Sequence, residues 1–272
     1  MSSLYNIIDL VSHYGFKRDI LPFLMTNRKF YNDTYLWSKI INLGFNKSNA
    51  TILMNSCLNN NIERFNFLIN CKPDLNITDK SNRSAIFYTI FHESFYNNKT
   101  IFNKLISLKP NLDIMDNKNK NILYYALMLK DSEMIRDLCK NKIKLEAVFH
   151  NTLTALSMAC QMNNKEAVKI LLEYGANVNS VKADGKNVIT TAINSNADME
   201  IIKDLLKYNA DINFPEIRGR TAIYYGIACN NIEIVKLLIK HGADIFHQDI
   251  HGMTPCYYAK ELNHKNILKI LK

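Results

Sequence analysis

The residues best placed for chemistry are His247, Asp249 and His251, which alternate along one short stretch with His241 and Cys256 near in sequence. Imidazole, carboxylate and thiolate are the usual zinc ligands, and a cysteine paired with a histidine is the minimal equipment of a thiol hydrolase. Neither constellation is complete. No second ligand pair stands at closed-site spacing, and the six cysteines (Cys57, Cys71, Cys139, Cys160, Cys229, Cys256) contain no Cys-x-x-Cys. The chain carries no P-loop, Gly-x-Gly-x-x-Gly, Gly-x-Ser-x-Gly or His-Glu-x-x-His. Its eight glycines are too few for a phosphate cradle. The sequence therefore predicts no catalytic residue, no metal and no cofactor, and the cysteines read as reduced, small apolar residues.

With 272 residues, 47% hydrophobic and 22% charged, the composition is that of a globular protein able to bury a substantial core. No apolar run reaches the roughly 18 residues of a membrane span, and Met1-Ser-Ser-Leu-Tyr-Asn lacks the plan of a signal peptide. A cytoplasmic or nuclear protein with no membrane partner is expected, monomeric in its own assembly. The net charge of +9 favours an acidic partner. Part of that basicity is discounted, because enrichment in Lys, Asn and Ile resembles the coding bias of an AT-rich genome. Nucleic acid is not the expected partner, since zinc-finger spacing, a glycine-rich RNA-binding motif and a continuous basic helix are all missing.

The elements that would position any site are set by an internal period. The clearest unit runs from Gly219 to Asp244, Gly-Arg-Thr-Ala-Ile-Tyr-Tyr-Gly-Ile-Ala-Cys-Asn-Asn-Ile-Glu-Ile-Val-Lys-Leu-Leu-Ile-Lys-His-Gly-Ala-Asp, and Gly252-Met-Thr-Pro restarts it in phase. The residue at its Thr position recurs as Thr51, Ser84, Asn121, Thr154, Asn187, Thr221 and Thr254, at intervals of 33, 37, 33, 33, 34 and 33. This resembles the ankyrin repeat, whose period is about 33. The resemblance implies an all-α solenoid of seven repeats over residues 46–272, each a helix-turn-helix joined to the next by a β-hairpin loop. The longer intervals carry insertions around His92 to Thr100 and near Asn196 to Met199, both expected between paired helices. Each unit holds two apolar segments at helical spacing, such as Ile223 and Ile227 and then Ile234, Val235 and Leu238. One pair cannot bury its apolar face alone, so the units must stack. Gly175-Ala176 and Gly242-Ala243 mark ends of second helices, and Lys72-Pro73, Lys109-Pro110 and Asn209-Ala210 take that place elsewhere.

In the ankyrin family, partners usually meet the hairpin tips and the first helix. Carried over by position, four residues after each marker stand Asn55, Tyr88, Tyr125, Met158, Thr191, Tyr225 and Tyr258. Tyr88, Tyr125, Met158, Tyr225 and Tyr258 are the candidate contacts, because tyrosine offers a large area at low entropy cost and keeps a polar tip. The same rings could instead pack between repeats, as Phe87, Tyr124, Tyr224 and Tyr257 stand beside them. Along the tips run Lys80, Arg83, Lys118, Lys120, Lys182, Lys186, Arg218 and Arg220, with Asp79, Asp116, Asp184, Glu216 and Asp249 among them. Of these, Lys118, Lys182, Arg218 and Arg220 are the basic candidates for a protein surface that is partly acidic and partly apolar, the alternative being an ordinary solvated loop surface.

Residues 1–45 lack the repeat and show three short helical segments. Ile7-Ile8-x-Leu10-Val11, Lys17 to Leu21, Asn27 to Tyr31 and Leu36-Trp37-Ser-Lys-Ile40 resemble an F-box, the module that docks substrate receptors on the Skp adaptor of cullin ubiquitin ligases. On that resemblance Ile7, Leu10, Leu21, Leu24 and Trp37 would face the adaptor. The pattern departs from the family in lacking the Leu-Pro opening and in placing Pro22 inside the second helix. The other reading is a helical cap on the first repeat with Trp37 at its centre. F-box and ankyrin repeats occur together in proteins of large DNA viruses, commonly with the F-box-like element at the C-terminus in poxviruses; such an origin would place the chain in a host cell.

Overall fold

The computed structural model describes residues 41–43, 48–90, 99–149 and 153–272. The proposed adaptor-docking residues Ile7, Leu10, Leu21, Leu24 and Trp37 lie outside them. The chain divides into two compact units, Met1–Ile122 and Leu123–Lys272.

Unit 1 contains α1 (Ile52–Leu58), α2 (Ile62–Asn70), the single turn α3 (Ala85–Tyr88) and α4 (Lys99–Ser107). The marker residue proves to be the N-cap: Thr51 Oγ1 accepts the Met54 amide at 3.3 Å, which satisfies one donor that a helix start leaves without an intrahelical partner. The second helix is capped in the same manner by Asn61, whose Oδ1 accepts the Arg64 amide at 2.9 Å. α1 packs on α3 and α2 on α4, burying Leu53, Phe65, Leu68, Ile86, Ile101 and Leu105. The additional residues of the 37-residue interval fall between Tyr88 and Lys99, where 91–98 are outside the described residues.

Unit 2 repeats the scheme through α5 (Ile122–Leu129, whose first residue closes unit 1), α6 (Ser132–Lys140), α7 (Ala155–Gln161), α8 (Lys165–Glu173), α9 (Val188–Asn194), α10 (Met199–Lys207), α11 (Ala222–Ala228), α12 (Ile232–Lys240), α13 (Pro255–Glu261) and α14 (Lys265–Ile270). Thr154, Asn187 and Thr254 cap first helices, while Asp131, Asn164, Asp198 and Asn231 cap second ones. Such caps contribute about 1 kcal/mol each. First helices stack on first (α7, α9, α11, α13) and second on second (α6, α8, α10; α12 on α14). Neither row could stand alone, because a helix of seven or nine residues is below the length at which propensity sustains it in water. The extra residue of the 34-residue interval lies between α9 and α10, as its position in the sequence implies.

The turns explain a compositional feature. Among the described residues the backbone passes through left-handed conformations two residues before the marker (Asn49, Asn82, Asn119, Gly185, Gly219, Gly252), between the helices (Asn60, Lys130, Asn163, Asn196, Asn230, Asn263) and after the second helix (Lys72, Lys109, Lys142, Gly175, Asn209, Gly242). Asparagine adopts positive φ more readily than other non-glycine residues. Asparagine enrichment, read from sequence as coding bias, thus has a structural use.

Candidate functional site

The described tips share a backbone bond from the amide five residues before the marker to the carbonyl one before it. Asp79 to Arg83 (3.0 Å), Asp116 to Lys120 (2.9 Å), Lys182 to Lys186 (2.9 Å), Glu216 to Arg220 (3.0 Å) and Asp249 to Met253 (3.0 Å) all follow this rule. Where the first residue is aspartate, its carboxylate folds back into the turn. Asp79 Oδ1 accepts the amides of Ser81 and Arg83 (2.8 and 2.9 Å), Asp116 Oδ1 those of Lys118 and Lys120 (2.8 and 3.0 Å), and Asp249 Oδ1 those of His251 and Met253 (2.9 and 3.1 Å). These three carboxylates and Glu216 are buried. Burial alone would raise the Asp79 and Asp249 pKa values; it is outweighed by bonds from Arg83 and Tyr88 in the first and from the turn amides and Arg220 in the second, so both carboxyls are held below the ordinary range. The acidic residues are therefore the internal ties of the tips. Asp184 differs: it stands three residues before its marker, is half-buried, and pairs with Lys186 at 2.9 Å and Lys182 at 3.6 Å.

Position four after the marker does not have one environment. Tyr125, Tyr225 and Tyr258 are half-buried on the first-helix face of unit 2. Met158 in that unit is only 6% exposed, and so is Tyr88 in unit 1. Both were expected to present open contact area and do not. Met158 is drawn into the core of α7. Tyr88 is tucked beneath its own tip, donating to Asp79 Oδ2 at 2.7 Å with the Arg83 guanidinium 5.4 Å from its ring centre. Burial, together with the Asp79 bond, pushes its phenol up to about 12. Phe87 beside it is buried as well, so both adjacent positions point inward here.

In unit 2 the basic tip residues and the tyrosines come together. Lys186 Nζ lies 5.7 Å from the centre of the Tyr225 ring, and Arg220 Cζ lies 4.7 Å from that of Tyr258, within the range of cation–π attraction. Each cation reaches across to the tyrosine of the following repeat. Arg220 also pairs with Asp249 at 3.3 Å, which anchors the guanidinium against the ring. Burial pushes the Tyr225 phenol up to about 12, with Glu216 and Asp184 raising it further. Of the other basic candidates, Lys182 is largely covered beside Asp184. Arg218 is exposed in unit 2 and Lys118 in unit 1.

The model for ankyrin repeats in three copies matches residues 90–182 and again 189–272, which is more than half of the chain. The chain belongs to the ankyrin-repeat family. That family consists of protein-binding scaffolds, so this chain is a protein–protein interaction module. No curated protein matches it at a significant level. No described helix is long and apolar enough to cross a membrane.

The ankyrin turns also account for the residues that first drew attention as chemistry. His247 Nε2 lies 2.9 Å from the Gly219 carbonyl, and Asp249 is engaged with amides and Arg220. Among the described residues no three His, Cys, Asp or Glu side chains converge as a metal site. Burial pushes the thiols of Cys57 and Cys139 up to about 12 and 11 and raises Cys160 still further, the opposite of what a nucleophile needs. Sequence reading missed two residues of the ankyrin tips, Ile217 and Ile250, which are 68% and 64% exposed. Their common register, four residues before a marker, was the available signal.

Proposed function

We propose that unit 2 grips a protein partner through the concave face formed by its hairpin tips and first helices, with Tyr125, Tyr225 and Tyr258 as apolar anchors. The observation that carries this reading is the pairing of Lys186 with Tyr225 and of Arg220 with Tyr258 in successive repeats. Such a pair offers a rigid apolar ring edge and a positioned cation together, which suits a surface that is partly apolar and partly acidic. Arg218 and Lys182 add to the positive field of that face, and Lys118 to that of its own tip in unit 1. The ordinary solvated-surface reading accounts for the lysines but not for cations seated on rings.

The test is substitution followed by affinity and melting measurements on one preparation. Tyr125→Ala with Tyr225→Ala is expected to weaken binding of a captured partner by about tenfold or more while the melting temperature shifts by only a few degrees. A collapse of the melting transition with affinity per folded molecule unchanged would show the rings to be packing. A second reading rests on the Leu36-Trp37 element and the helical spacing before it: the face holds a target while the N-terminal module docks the Skp adaptor. Capture from cytosol with the full chain and with Trp37→Ala separates this from a plain scaffold or masking inhibitor. Loss of Skp and cullin with Trp37→Ala supports the ligase role, and their absence from both captures removes it.

A further inference from the structure

Four residues before the marker, the described tips carry Lys80, Asn117, Ala183, Ile217 and Ile250. The position is exposed in all five, polar or small in the earlier tips and isoleucine in the last two. One exposed isoleucine is ordinary. Two at the same register on neighbouring tips form an edge, and the backbone holds them side by side. The Ile250 amide donates to the Arg218 carbonyl at 3.0 Å. Gly219, at φ +73°, admits this approach: a Cβ there would lie 3.1 Å from the Ile250 nitrogen. Ile217 is seated likewise on Gly185, where a Cβ would lie 2.8 Å from Ile217 Cγ1. The backbone at both positions is thus held close to the preceding tip, while among the described residues both side chains stay largely exposed.

We infer that Ile217 and Ile250 are an apolar edge that docks an extended acidic segment of the protein partner, with a partner carboxylate meeting Arg218. This rests on the reading that unit 2 is the gripping unit. The geometry sets the spacing. Neighbouring repeats lie about 8–10 Å apart, and an extended chain places side chains i and i+2 about 6.5 Å apart and i and i+3 about 10 Å apart. Two apolar residues at i and i+2 or i+3 span both isoleucines. The charge sets the flanking residues: Glu216 and Asp249 are buried, whereas Arg218 is exposed beside the edge, so a carboxylate is favoured there and an ammonium opposed.

The experiment uses the full chain and three fluorescein-labelled nonapeptides: alternating Glu and Leu, the same with Ser for Leu, and the same with Lys for Glu. Fluorescence anisotropy is expected to show the Glu–Leu peptide binding at least about tenfold more tightly than either control. Ile217→Ser with Ile250→Ser is expected to abolish the advantage over Glu–Ser without shifting the melting temperature, and Arg218→Gln to weaken both acidic peptides. Equal binding of Glu–Leu and Glu–Ser, or a preference that survives the double isoleucine variant, overturns the proposal. So does tighter binding of a short DNA duplex, which would assign the edge to nucleic acid. Tyr225→Ala with Tyr258→Ala in the same titration separates this inference from the reading beneath it. Loss with the tyrosines alone leaves the gripping face and removes the edge; loss with the isoleucines alone does the reverse.

Discussion

Two tips with the same ingredients are wired differently. In unit 1, Asp79, Arg83 and Tyr88 stand five before, one before and four after Ser84; in unit 2, Glu216 and Arg220 stand at those places before Thr221, and Asp249 and Tyr258 at those around Thr254. Arg83 turns back on its own tip, its Nε and Nη2 donating to Asp79 Oδ2 at 2.9 and 2.7 Å, and Tyr88 closes the same carboxylate from below. Arg220 instead reaches to the carboxylate and ring of the next repeat, Asp249 and Tyr258. The first arrangement gathers the arginine and the tyrosine of one repeat on a single buried carboxylate. The second ties two repeats and leaves a tyrosine edge facing outward. Position in the repeat fixes which residue types meet, and the direction in which the arginine leans decides whether they form core or surface.

The largest expected effect comes from untying the carboxylates. Asp79 Oδ1 and Oδ2 receive two amides, two guanidinium donors and the Tyr88 hydroxyl, whereas Asp249 receives two amides and Arg220 Nε at 3.3 Å. Removing an acceptor that leaves buried donors unsatisfied costs far more than the bond itself contributes. Asp79→Ala should therefore lose about 2–4 kcal/mol in urea unfolding and Asp249→Ala about 1–2 kcal/mol. Equal losses would mean that the two tips are tied alike and that the lean of the arginine is immaterial.

Acid reads the same comparison through linkage. Both carboxyls are held below the ordinary 3.8 in the folded chain. A group whose folded pKa is depressed contributes stability that is fully present above its unfolded pKa and is lost as pH falls through the folded one. Stability measured from pH 7 downward should hold to about pH 4 and then fall. Asp79→Asn should flatten that fall more than Asp249→Asn does, as followed by thermal melts at each pH. A profile unchanged by either variant would remove the tips as the acid-sensitive ties.

Much of this fold was legible in residue spacing, because an N-cap and two helix stops recur wherever the stack needs them. Thr51, Thr154 and Thr254 announce helix starts by a local rule, and Gly175 and Gly242 announce stops by another. The site was legible only in part. That Lys186 would meet Tyr225 and Arg220 Tyr258 depends on contacts between repeats, which no rule of local spacing encodes. Tyr88 and Met158 were misjudged for the same reason: a position half-buried at Tyr125 is closed at Met158 by its neighbours and at Tyr88 by its own tip. The aspartates at the tips looked like surface charge because part of their bonding is to backbone amides, invisible in side-chain pattern.

The smallest expected effect isolates the tyrosine end of each arrangement. Tyr88→Phe keeps the ring and removes the hydroxyl together with its buried 2.7 Å bond to Asp79. Tyr258→Phe removes a hydroxyl that lies 3.5 Å from Arg220 Nη1, at the limit of hydrogen bonding, and leaves the ring under the guanidinium. A buried bond to a charged acceptor contributes about 1–2 kcal/mol net and a marginal exposed one close to none. Tyr88→Phe should thus lower the unfolding free energy by about 1–2 kcal/mol, and Tyr258→Phe should leave it unchanged within error while keeping partner affinity. If Tyr258→Phe proved as costly as Tyr88→Phe, the phenol rather than the ring face would be what holds Arg220. The cation–π pair would then be a consequence of a hydrogen bond instead of its substitute.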